Sequence, residues 1–261
     1  MRPVILRSTQ LLFTLALALT GARAAWAECQ TDGIILFPRP GAVIPINAGF
    51  ILEGRGSEGA RVEALVGKTL HLRSDGGEAV AVEVKKGWRS EMARVAVRLR
   101  VKGKLAAQDR YTLQLEAAMP GAKNLDRRAA QTLSWFTGPG PDTKKPKWER
   151  APAVAEGRHT VRDGGLIREL SLSAPMKDES PTWVVVSMRR ARGPKDTQTY
   201  FAPVDGGVAT LGHDGCSGSF VFEDGRAYTA RVEGFDVAGN PVAASRPLQF
   251  HAPRPPRKPR P

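Results

Sequence analysis

The segments Leu105-Ala106-Ala107-Gln108-Asp109-Arg110-Tyr111-Thr112 and Phe222-Glu223-Asp224-Gly225-Arg226-Ala227-Tyr228-Thr229 decide how this chain is read. In each, an apolar residue precedes a polar turn, and a Tyr-Thr pair opens a strand six residues later. The tyrosine strands continue as Leu115-Glu116 and Val232-Glu233, an asparagine follows in the next turn (Asn124, Asn240), and each copy closes on a similar strand, Leu133-Ser134-Trp135-Phe136 or Leu248-Gln249-Phe250. A tyrosine whose ring packs inside while its hydroxyl bonds to turn backbone is a corner of antiparallel sandwiches. Two copies of it imply two copies of one plan.

Outward from these corners the chain reads as all-β. Short runs of Val, Ile, Leu and aromatic residues are separated by Gly, Pro, Asp and Asn, with no helical spacing sustained over a dozen residues. Expected strands in the first half are 34–37, 49–53, 61–66, 79–85, 93–101, 111–117 and 132–137. In the second half they are 166–172, 183–188, 199–202, 207–211, 219–222, 228–235 and 247–251. Residues 138–152 break the pattern with four prolines, two glycines and the cations Lys144, Lys145, Lys147 and Arg150. A semi-rigid linker between two β-sandwiches is the expectation, with Trp148 packed on a domain edge.

The stretch Pro40-Gly41-Ala42-Val43-Ile44-Pro45-Ile46-Asn47, with Tyr111-Thr112-Leu113 and Trp135-Phe136-Thr137-Gly138, resembles the bacterial immunoglobulin-like domain of the S-layer type. Tyr228 with Asp236-Val237-Ala238-Gly239-Asn240 is similar to the last hairpin of immunoglobulin-like and fibronectin type III modules. The resemblance implies an exported tandem of Ig-like sandwiches and brings no catalytic residue. The boundaries it suggests are a signal peptide at 1–27, a first sandwich at 28–138, a Pro/Lys-rich linker at 139–152, a second sandwich at 153–251, and a disordered basic proline-rich tail at 252–261.

The N-terminus carries the targeting signal. Arg2 and Arg7 precede the apolar run Leu11 to Leu19, and Ala25-Trp26-Ala27 offers small residues for cleavage after Ala27. The run is shorter than the ~20 residues that span a bilayer, so no transmembrane anchor is expected after cleavage. Glu28, directly before Cys29, argues against lipidation. The expected location is periplasmic or extracellular, where Cys29 and Cys216 could pair and staple the start of the mature chain to its second half. Two unpaired cysteines remain the alternative. Removing residues 1–27 takes away three arginines and no acids, so the formal charge falls from +13 to +10.

That charge has one organised feature. In Arg94-Val95-Ala96-Val97-Arg98-Leu99-Arg100-Val101-Lys102 the basic residues alternate with apolar ones, which places Arg94, Arg98, Arg100 and Lys102 on one solvent face of a sheet. Such a face could bind acidic envelope polymers or extracellular nucleic acid; the plainer reading is a solvated face that keeps the sheet soluble.

No enzyme is expected. Gly215-Cys216-Ser217-Gly218-Ser219 misses the spacing of a nucleophile elbow, and no phosphate loop or spaced cysteine pair occurs. No cofactor and no metal are expected either. The histidines His71, His159, His213 and His251 are scattered, the mature N-terminus lacks the histidine of copper-resistance sandwiches, and His213-Asp214-Gly215-Cys216 reads as a turn. Asp236 and Asn240 carry calcium-type oxygens, but a backbone turn accounts for them. The functional expectation is a non-catalytic binding or structural module of the cell envelope, its partner an acidic polymer or, alternatively, a specific envelope protein.

Overall fold

The computed structural model describes residues 32–126, 132–162, 165–191 and 196–255, so the signal segment, Cys29 and most of the basic tail lie outside the described residues. The described chain is all-β with one short helix. In the first half, β1 (Gly33–Phe37), β2 (Val43–Ile44), β3 (Gly49–Arg55), α1 (Glu58–Glu63), β4 (Thr69–Ser74), β5 (Ala79–Arg89), β6 (Arg94–Val101), β7 (Arg110–Leu113) and β8 (Ser134–Thr137) follow in order. All eight strands hydrogen-bond in the sequence β1-β3-β6-β5-β4-β7-β8-β2.

The long strand β5 lets one sheet enclose a core. Its beginning pairs with β4 (Ala79↔Arg73 to Glu83↔Thr69), and its later part pairs with β6 (Val82↔Val101 to Arg89↔Val95). A register shift between Lys86 and Trp88 marks a bulge, the device by which a strand bends and re-aims a side chain. Gly87 sits in it because a Cβ there would lie 2.2 Å from the carbonyl oxygen of Ala96. Leu36, Leu52, Leu72, Val82, Leu99, Tyr111 and Trp135 fill the enclosed core.

The second half contains β9 (Lys147–Trp148), β10 (Ala153–Arg162), β11 (Gly165–Ser173), β12 (Met176–Lys177), β13 (Thr182–Arg190), β14 (Thr197–Pro203), β15 (Val208–His213), β16 (Ala227–Asp236) and β17 (Leu248–His251). A three-stranded sheet β10-β11-β15 and a four-stranded sheet β14-β13-β16-β17 share the buried residues Leu170, Leu172, Val184, Val186, Leu211, Phe222, Tyr228 and Val232. Two antiparallel sheets over one core make a sandwich.

Both tyrosine corners form. The Tyr111 hydroxyl accepts the backbone N–H of Ala106 at 2.8 Å, and that of Tyr228 accepts the N–H of Glu223 at 3.1 Å. The echo extends across the next strand: Tyr111 faces Trp135 and Tyr228 faces Phe250 in register. Leu105 and Phe222, the apolar residues before each turn, are both buried.

Several local expectations are corrected. Residues 61–66 are not a strand: Glu58–Glu63 is helical, and Val62 and Leu65, three apart, are its buried pair. The chain at 219–222 is not a strand either, although Phe220 and Phe222 are buried. Strands β4 and β10 were not anticipated. The stretch around 138–152 is tied down rather than free, since β9 pairs with β12 and the Trp148 indole N–H donates to the carbonyl of Ala243 at 2.7 Å. Ala252, where the tail was expected to begin, is buried and donates its N–H to Arg226.

The two halves exchange core residues. Phe37, Ile51 and Ala96, from the outer face of β1, β3 and β6, belong to the second core, while Val237 from the turn after β16 belongs to the first. The backbone joins as well, with Gly49 donating to Val237 at 2.8 Å and Gly218 to Met92 at 3.1 Å. The first half therefore lies directly against the second.

Candidate functional site

The face of β6 that carries the alternating cations is also the face that meets the second half. Ala96, in its middle, is buried in the joint core beside Ile51 and Phe37. On either side of this apolar seam lies an open space, and the four basic residues are divided between the two.

Arg94 is on the buried side. Its side chain is 15% exposed, its Nε lies 3.6 Å from Glu53 Oε1, and it donates to the Ser217 hydroxyl at 3.3 Å. Burial pulls its pKa down, partly offset by Glu53. The expected solvent face is thus corrected for Arg94, because the second half covers that end of β6. Arg98, Arg100 and Lys102 remain exposed, and none of them has an ion pair among the described residues.

Arg98 and Arg100 line a groove of about 800 Å³ between the halves, together with Lys85, Trp88, Trp183, Glu233 and Phe235. The Arg98 guanidinium sits 5.9 Å from the Trp88 ring centroid, within reach of a cation–π contact, and its Nε donates to the Lys86 carbonyl at 3.4 Å. The aromatic side is continuous. Trp88 meets Trp183 edge-on at 5.6 Å, and Trp183 stacks on Phe235 at 4.8 Å. Glu83, across the sheet from Arg100, is held below its usual pKa chiefly by its hydrogen bond to Lys85, with Lys102 and Arg100 adding to the effect. The bulge at Gly87 aims Trp88 into this groove, a relationship that strand alternation alone conceals.

A second space of about 510 Å³ opens on the other side of the seam, lined by Arg39, Glu53, Arg55, Arg94, Tyr200, Thr210, His213, Asp214 and Ser219 among others. His213 ends β15 and is buried. Asp214 turns the chain after it, its Oδ1 accepting the N–H groups of Cys216 at 2.9 Å and Ser217 at 2.7 Å. The expected turn is present, and His213, Asp214 and Cys216 do not form a metal-ligand cluster among the described residues. The Cys29 half of the expected disulfide lies outside the described residues.

Oxygen ligands gather elsewhere. Asp142, Asp178 and Asp236, from the inter-half stretch, the turn after β12 and the end of β16, bring carboxylate oxygens within 4.8 Å of one another. Asn240 ties two of them together, its side-chain amide donating to Asp236 Oδ2 at 2.8 Å and to the Asp142 carbonyl at 3.2 Å. Asn47 grips Asp142 from the first half. Burial raises the pKa of Asp178 and Asp236, and the neighbouring acids raise both further. Such a set has the chemistry to hold a hard divalent cation. Only Asp236 and Asn240 were visible as a pair in sequence, since the other two acids arrive from 94 and 58 positions away in the chain.

Nothing brings a nucleophile, a general base and an oxyanion donor together among the described residues. No helix among them is long and apolar enough to cross a membrane.

No family model matches this sequence, and no curated protein matches it. Among solved structures, the chain is similar to the chicken CNTN1 FN1–FN3 domains, at 11% identity and a TM-score of 0.26, covering 85% of this chain and 65% of that one.

Proposed function

We propose that this protein is a non-catalytic exported module of two tandem Ig-like sandwiches that binds acidic polysaccharide of the cell envelope in the groove between its halves. The observation that carries this reading is the pair Arg98 and Arg100. They project from one face of β6 into an open groove without an acid partner among the described residues, beside the half-buried rings of Trp88, Trp183 and Phe235. Unpaired cations attract a polyanion, and exposed ring faces offer an apolar platform for the C–H faces of sugar rings. The leader at 1–27 supplies export in this reading. A Cys29–Cys216 disulfide then anchors the mature N-terminus to the second half, and the absence of a free cysteine among the described residues supports it.

The test is capture on immobilised polygalacturonate at low and high salt. Wild-type protein is retained at low salt and released as salt screens the charges, while the R98Q/R100Q variant passes through. Equal retention of both proteins would remove the groove from the account.

A further inference from the structure

The space on the Arg94 side of the seam has the features of a built site. Two buried polar atoms on its lining residues lack a hydrogen-bond partner: the Tyr200 hydroxyl and Nε2 of His213. Tyr200 is 1% and His213 7% exposed, and a polar atom left unpartnered at that depth costs free energy. Burial raises the Tyr200 pKa well above its usual value, so the phenol keeps its proton and can donate. His213 Nδ1 lies 3.1 Å from the Asp214 carbonyl. A carbonyl only accepts, so Nδ1 carries hydrogen and Nε2 of the neutral ring presents a lone pair.

The charges around these atoms are unequal. Arg39 faces Asp126 and Asp205, and Glu169 is held by Arg158. Glu53, however, serves two cations through one oxygen, Arg55 Nε at 2.9 Å and Arg94 Nε at 3.6 Å. Asp214 adds some field at Arg94, but its Oδ1 is committed to its own turn. The lining therefore offers an excess of guanidinium donors, a phenol donor and one histidine acceptor. An anion alone satisfies the donors and leaves Nε2 bare; a neutral sugar alone leaves the guanidinium uncompensated.

We propose that this cavity binds a hydroxylated monocarboxylate of the sugar-acid class. Its carboxylate meets Arg55, Arg94 and the Tyr200 hydroxyl, and one of its hydroxyls donates to His213 Nε2. The site stands apart from the groove of Arg98 and Arg100 and does not depend on it.

The experiment is calorimetric titration of the full mature protein with D-galacturonate, D-galactose and acetate, repeated on Y200F, R55Q and R98Q/R100Q. Galacturonate binds with a dissociation constant below about 1 mM, and galactose and acetate bind at least about tenfold more weakly because each leaves one set of partners unmet. Y200F and R55Q weaken galacturonate about tenfold, whereas R98Q/R100Q binds it as wild type does even where polymer capture is lost. Y200F without ligand melts at or above the wild-type temperature, since it removes an unpartnered hydroxyl. Absence of galacturonate binding, or binding unchanged in both Y200F and R55Q, would overturn the proposal.

Discussion

Glu53 Oε1 lies 2.9 Å from the Nε of Arg55 and 3.6 Å from the Nε of Arg94, so one buried carboxylate on β3 anchors the cation that meets the second half. Removing one partner of a buried ion pair leaves an uncompensated charge, which costs ~3 kcal/mol or more. E53Q is therefore expected to lower unfolding free energy by that order in urea titrations. A loss below ~1 kcal/mol would show that solvent already compensates Arg94.

The tyrosine corners are expected to be equivalent. Y111F and Y228F each leave a backbone N–H, of Ala106 and of Glu223, without its acceptor, at a cost of ~1 kcal/mol. Chemical denaturation of the two variants checks this, and a neutral result at either tyrosine would reduce that corner to ring packing.

These corners also mark what sequence could reveal. The spacing from Leu105 to Tyr111 and from Phe222 to Tyr228 is local, and a local pattern survives in a linear string. The helix at Glu58–Glu63 was misread because Val62, Ala64 and Val66 alternate like a strand, while the buried pair is Val62 and Leu65. Strand β10 was missed because Glu156, Arg158 and His159 interrupt any apolar run there. Arg94 looked like Arg98 and Arg100 for a similar reason. Alternation reports which face a side chain takes, and only the packing of the second half decides which end of that face is covered.

Gly87 is expected to resist any side chain. With a Cβ only 2.2 Å from the Ala96 carbonyl oxygen, G87A must open the β5–β6 bulge, at a cost of ~2 kcal/mol. Because Trp88 follows directly, the same variant shifts the tryptophan emission of the folded protein. Unchanged stability and emission would mean that the bulge tolerates a methyl group.

The three carboxylates set a pH dependence. Burial, with help from neighbouring acids, raises the folded-state pKa of Asp178 and Asp236 above that of the unfolded chain. Their contribution to stability is thus fully present below the ordinary Asp range near ~3.9 and lost as pH rises through the raised values. In chelator, D178N is expected to be more stable than wild type at neutral pH, with the difference vanishing in acid. The Asn side chain keeps the oxygen that accepts the Ser180 N–H. A wild-type protein that matches D178N at neutral pH in chelator would contradict the repulsion.

The central claim is that Arg98 and Arg100 form a polyanion-binding groove with the aromatic wall beside them. The most direct measurement is the affinity of the mature protein for polygalacturonate as a function of salt, for wild type, R98Q/R100Q and W183A. The account predicts that affinity falls with salt in the wild type, that the arginine variant loses both affinity and most of its salt dependence, and that W183A binds more weakly with the salt dependence intact. Affinity and salt dependence unchanged in R98Q/R100Q would contradict it.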